Sequence, residues 1–203
     1  MAETFKNQVD ALTGFASTED DALTDWLQAG AREIINILPK HLKEYCYTKQ
    51  TFTSAAANSE AETMITGQLG SVYGGSVECR RIKPQDKHKA SDSNSLEKAS
   101  ATDPVYYVEG NKINILPAST AGVYYVVPNP TVAHGSTSID NFPNEAEYLV
   151  TLYAAVKAIE RRMLDEEDME IFGPQLQTLK QDYQQGVQML LGQGASPAKG
   201  GGR

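Results

Sequence analysis

Val105-Tyr106-Tyr107-Val108-Glu109-Gly110-Asn111-Lys112-Ile113-Asn114-Ile115-Leu116 is the stretch from which the rest of the chain is best read. Two alternating runs flank Gly110-Asn111. A two-residue hairpin turn needs positive φ at both central positions, and Gly and Asn reach that region at the least steric cost. Pro117 closes the second strand, because it has no N–H to offer a ladder. Outward from this hairpin, Val123 to Val127 reads as a third strand between Gly122 and Pro128. Ser76 to Ile82 reads as a fourth, ending at Pro84. Residues 53–63 are polar and Ala-rich without a period. Gly67 to Gly75 (GQLGSVYGG) reads as a flexible loop or turn, and 129–141 (NPTVAHGSTSIDN) as an exposed connection.

On both sides of this middle the period changes from two to three or four. Phe5, Val9 and Leu12 recur at helical spacing, and Gly14 is placed to stop a short helix. Ser17 and Thr18 look like caps, and Glu19, Asp20 and Asp21 sit where a helix N-terminus favours negative charge. Leu23, Trp26, Leu27, Gly30, Ile34, Ile37 and Leu38 then form one apolar stripe. Pro39 ends that helix or opens a new one, and Leu42, Tyr45 and Cys46 extend an apolar face beyond it.

The helical period returns after Pro143, with Leu149, Leu152, Val156, Ile159 and Met163 on one face and Tyr148 and Tyr153 widening it. The acids from Asp165 to Glu170 mark a corner or a new N-terminus. Met169, Phe172, Leu176, Leu179, Tyr183, Val187 and Leu190 continue at nearly seven-residue spacing, interrupted at Gly173-Pro174 by a kink or a fresh start. The last stretch, Gly192 to Arg203 (GQGASPAKGGGR), has no apolar groups to bury.

Four amphipathic segments bury their faces most readily against one another. The expected fold is α+β: an antiparallel bundle of about four helices with an inserted, mostly antiparallel β region and a flexible Gly-rich C-terminal tail. It is read as a single domain over 1–203. Helices occupy 1–50 and 143–191, the β-rich insertion 51–142, and the tail 192–203.

Charge and composition narrow the function. The 203 residues carry 18 Lys+Arg against 26 Asp+Glu, a net charge of −8. Nucleic acid is coated by clustered cations, so a chain of this balance is not built for that. No apolar run approaches the roughly 20 residues that span a bilayer, and MAETFKNQVDALTG reads as no signal peptide. Cys46 and Cys79 form no CxxC pair and read as reduced, half-buried thiols.

Catalytic signatures do not emerge. His41, His88 and His134 stand at no metal-ligand spacing and read as surface residues. Asp165-Glu166-Glu167-Asp168 lacks the Gly hinge and alternating ligands of a calcium loop, and pairs such as Arg161 with Asp165 or Arg162 with Glu166 account for the charges. The Gly67 to Gly75 run has no GxGxxG register and no GKS or GKT ending. No GxSxG elbow occurs. Neither a cofactor, a metal site nor an enzymatic activity is expected.

One segment runs against the acidic whole. Arg80, Arg81, Lys83, Lys87 and Lys89, opposed only by Asp86, place a net +4 within ten residues. It is either a solubilising loop beside a strand or a contact for an acidic partner surface or passing DNA phosphates. No interleaved aromatic points to base stacking.

Three stretches carry a resemblance: ALTDWLQAGAREIINILP at 22–39, SLEKASATDPVYYVEGNKINILPAS at 95–119, and EAEYLVTLYAAVKAIERRM at 145–163. In that order, with a helical C-terminus after them, they resemble the head-to-tail adaptor (connector) proteins of tailed bacteriophages. The resemblance covers roughly residues 20 to 165, and none of its stretches is a catalytic signature. It implies a structural virion protein of the phage neck or tail, made in the bacterial host cytoplasm. Such adaptors form a twelve-fold ring below the portal, seal the DNA exit and dock the tail nozzle or tail tube. It also implies a portal contact through Tyr183, Val187, Leu190, Lys199 and Arg203. Glu109, Gly110, Asn111 and Lys112 would contact neighbouring subunits or the tail, and the basic run 80–89 would lie against portal or tail. The packaged DNA would pass nearby without specific binding, and no membrane is involved. The alternatives are another tail-completion or tail-tube-associated component, and a small non-viral helical ligand-binding protein.

Overall fold

A computed structural model describes residues 3–16, 19–53, 67–117, 121–166 and 169–192. In chain order the helices and strands are α1 (Phe5–Thr13), α2 (Asp20–Ile37), α3 (Lys40–Lys43), β1 (Thr48–Thr53), β2 (Gln68–Gly74), β3 (Val77–Glu78), β4 (Arg80–Arg81), α4 (Lys87–Ser91), β5 (Val105–Glu109), β6 (Lys112–Leu116), β7 (Ala121–Val127), α5 (Asn144–Glu166) and α6 (Met169–Gly192). The fold is α+β. The chain divides into two compact units, one of Met1–Cys46 with Pro130–Arg203 and one of Tyr47–Asn129. The β region thus begins before residue 51 and ends before 142.

In the helical unit, α1 starts where Thr4 Oγ1 accepts the Asn7 N–H at 3.3 Å and stops where Gly14 turns left-handed at φ 73°. Helix α2 carries Asp20 and Asp21 in its first turn, but Glu19 stands at its N-cap without a side-chain cap bond. Ser17 and Thr18 lie outside the described residues. Leu23, Leu27, Ala31, Ile34 and Ile35 are buried along α2.

Helix α5 packs against α1, α2 and α6. It is buried on nearly every side, through Val150, Thr151, Leu152, Ala154, Ala155 and Ile159. Each large apolar side chain so buried contributes about 1.5–3 kcal/mol. At Gly30 α2 and α5 approach closely: a Cβ there would stand 2.8 Å from the Tyr153 ring. Tyr45 and Tyr148, expected on apolar faces, are exposed. Helix α6 runs through Gly173-Pro174 without a fresh start.

The segment 129–141, expected as an exposed connection, is exposed at most positions but anchored by buried residues within it and by Phe142 just beyond. Pro130, Val132, Ile139 and Phe142 are buried, and the segment lies along the helices as a strap. The first N–H groups of a helix have no partner inside it. At α1 the strap supplies them, with Ser136 O accepting from Phe5 N–H and His134 O from Lys6 N–H, both at 2.9 Å. Gln28 Nε2 donates to Val132 O at 3.3 Å, and Ile139 N–H to Glu147 Oε1 at 2.7 Å.

The β unit holds two sheets where one was expected. Their strand orders are β1-β7-β2-β3 and β4-β5-β6. The hairpin forms as its sequence predicts, with Glu109 opposite Lys112 and φ of 57° and 62° at Gly110 and Asn111. The span 76–82 breaks into β3 and β4 in different sheets, and β4 pairs with β5 in parallel. Gly67 to Gly75 is no loop: it holds β2, antiparallel to β7 with a register shift between Leu69 and Val72. Its glycines answer close approaches, since a Cβ at Gly70 would lie 2.5 Å from the Tyr47 ring. Phe52, Val72, Cys79, Tyr106, Ile113, Ile115, Tyr124 and Val126 form one core drawn from both sheets.

Candidate interaction surfaces

The basic run and the hairpin, read separately from sequence, meet in the β unit. Lys87 Nζ lies 3.2 Å from Glu109 Oε2 and 6.0 Å from the Tyr107 ring centre. Arg80 reaches Asp103 at 3.1 Å because β4 runs beside β5, and Lys89 pairs with Asp86 at 3.1 Å one helical turn away. The hydrogen bond to Asp86 is the main reason the Lys89 ammonium holds its proton above the usual range. Arg81 and Lys83 are exposed, and neither forms an ion pair with a carboxylate among the described residues. Gly110 and Asn111 protrude at the hairpin tip, with Glu109 exposed and Lys112 half-buried beside them.

The contact set expected at the C-terminus is spread over different environments. Tyr183 is turned inward: its hydroxyl donates to Glu33 Oε1 of α2 at 2.8 Å, and its ring lies 6.1 Å from Tyr153. Burial, with the Glu33 carboxylate beside it, pushes the Tyr183 phenol well up. Val187 is half-buried. Leu190 is a core residue of the subunit, so the apolar surface at this end comes from its neighbours Met189 and Leu191. Lys199 and Arg203 lie outside the described residues, as does the expected tail from 193 onward.

Sequence reading missed Ile171 and Met189, each 67% exposed on α6. They fall off the heptad stripe, and eighteen residues is five full turns, so both lie on one outer face. Polar residues, including Thr178, Asp182 and Gln185, occupy that face between them.

A charged staple joins α5 to α6. Glu160 accepts from Lys157 at 2.8 Å and pairs with Lys180 at 2.9 Å. Burial opposes its ionisation, and the two lysines outweigh that, so its carboxyl titrates below the ordinary range. At the corner, Arg162 lies 4.4 Å from the Phe15 ring centre and 5.6 Å from that of Phe172, while Arg161 approaches Glu19 at 3.9 Å. The side chains of Asp165 and Glu166, their expected partners, are outside those described.

His134 is not a plain surface residue. Thr24 Oγ1 accepts its backbone N–H at 3.2 Å and meets its Nδ1 at 3.1 Å, while its Nε2 is 3.7 Å from Asp20. Asp20 also accepts from Lys6, which holds its carboxyl below the usual range. His41 and His88 are exposed. Cys46 belongs to the helical unit and Cys79 to the β unit. Both are free and buried more completely than expected, and burial pushes each thiol up to about 11.

Among the described residues no group of three or more His, Cys, Asp or Glu side chains is arranged to hold a metal ion, and no helix is long and apolar enough to cross a membrane. No protein-family model matches the chain, and no curated protein matches it significantly.

Proposed function

We propose that this chain is a structural virion protein, a head-to-tail adaptor that assembles as a twelve-fold ring between the portal and the tail of a tailed phage. In this reading it seals the DNA exit and docks the tail nozzle or tail tube, with no catalytic step. Its helices act as an antiparallel bundle of about four, the β unit is the bundle's insertion, and residues 192–203 are assigned to the portal.

One observation carries the reading. The stretches 22–39 and 145–163, which bear the outer parts of the resemblance, supply α2 and α5, and these two helices pack together. The stretch between them, 95–119, supplies the hairpin of the unit set between Cys46 and Pro130. The order of the motifs therefore corresponds to a plan of helix, insertion and helix. A ring multiplies each weak contact around its circle, which suits a subunit whose candidate contacts are small and scattered.

Co-sedimentation with portal rings isolated from the source particle tests the proposal. The chain is expected to travel with the rings. Deleting 192–203, or replacing Gly110-Asn111, is expected to weaken that uptake. A chain left at the top of the gradient with every ring preparation contradicts the proposal.

A further inference from the structure

Net charge is divided unevenly between the two units. Residues 47–129 hold eight Lys and Arg against eight Asp and Glu, which leaves ten against eighteen in the helical unit. The whole net charge of −8 therefore resides on the helical unit. On the neutral unit the cations concentrate along the edge strand β4 and the segment after it. There Arg80, Lys87 and Lys89 are each paired with a carboxylate of their own unit, whereas Arg81 and Lys83 are not.

We propose that this basic edge, centred on Arg81 and Lys83, docks on the helical unit of a second copy of this chain. The inference rests on the ring reading and names the contact that would build the ring. Helix α2 offers the acceptor: Asp21 and Asp25 stand one turn apart, both exposed, and neither forms an ion pair among the described residues, the nearby cations Lys6 and Arg161 pairing with Asp20 and Glu19. The two patches differ, so the contact is head-to-tail when each copy sets its edge on one neighbour and offers its α2 to the other. Repeated by rotation, such a contact generates a ring if it closes. The inverse arrangement, helical unit against helical unit, sets two acidic bodies together and is disfavoured. Exposed charges interact only within a Debye length of about 8–10 Å, so the contact gives orientation and on-rate and is sensitive to salt.

Sedimentation of the full chain at low and high salt, with charge-reversed variants, tests the contact. Wild type is expected to self-associate at low salt with a dissociation constant below about 1 mM. The double variant Arg81→Glu/Lys83→Glu is expected to weaken association at least about tenfold, as is Asp21→Lys/Asp25→Lys. An equimolar mixture of the two is expected to associate again. Because a lysine in the first turn of α2 opposes the helix dipole, Asp21→Asn/Asp25→Asn with unchanged circular dichroism is the companion variant.

Zero-length carbodiimide coupling of mixed light and heavy isotope-labelled chains is expected to join Lys83 to Asp21 or Asp25 of another copy. Association that is indifferent to all three double variants overturns the inference, and so does a wild type that stays monomeric at about 1 mM in low salt. If the variants still load onto portal rings as wild type does, this contact fails and the adaptor reading stands. If wild type self-associates through these residues but ignores portal rings, the adaptor reading fails instead.

Discussion

At the scale of single residues, Gly30 shows how two opposing effects are weighed. In a helix interior alanine is favoured over glycine by about 1 kcal/mol. Here the added methyl would meet Tyr153 at Cδ1, Cγ and Cβ, between 2.8 and 3.1 Å, at the root of the ring where it cannot swing aside. Overpacking of this kind costs about 1–3 kcal/mol. Gly30→Ala is therefore expected to lose about 1 kcal/mol net, a fall in melting temperature of about 2–4 °C by scanning calorimetry. The two thiols make a second residue-scale case. With burial holding each near about 11, the reactive thiolate is scarce at pH 8. Ellman's reagent is expected to leave both cysteines of the native chain untouched at that pH and to titrate both after unfolding.

At the scale of elements, the α5–α6 staple links pH to stability. The Glu160 carboxyl titrates lower in the folded chain than in the unfolded one. Its contribution is therefore present above the unfolded value, near pH 4.5, and is lost as pH falls through the lower folded value. Because its side chain is 33% exposed, the contribution is about 0.5–1 kcal/mol. Glu160→Gln is expected to lose that amount at neutral pH and to flatten the acid limb of urea midpoints.

The hairpin turn is the second element with a clear demand. Gly110 and Asn111 both have positive φ, a region that costs a side-chain-bearing residue about 1–2 kcal/mol. Gly110→Val/Asn111→Val is expected to destabilise the β unit by about 2 kcal/mol, read by hydrogen exchange at the amides of 105–116.

The hairpin was legible because its turn chemistry and its alternating flanks point the same way. Strand β2 was not, since Gly70 and Gly74 serve approaches by Tyr47 and Pro104 that come from distant parts of the chain. The strap 130–142 was hidden for a related reason. Its polar residues read as solvent-facing, yet it is held through main-chain groups at His134, Ser136 and Ile139. The amphipathic stripes gave α2 and α5 correctly and set Leu190, which is buried, apart from Met189, which is exposed, but a stripe alone could not tell that Leu190 is covered within the subunit rather than left for a partner. Nor could sequence show that Lys87 and Glu109, 22 residues apart, would pair across two elements.

For the whole molecule, the uneven charge is the property with the widest reach. The net acidic charge is confined to the helical unit while the β unit is neutral, which disfavours contact between the helical units of two copies. The adaptor reading is tested most directly by counting. Native mass spectrometry of the chain mixed with portal rings from its source particle is expected to show uptake in twelves. A chain that remains a monomer or dimer beside intact rings would contradict the account.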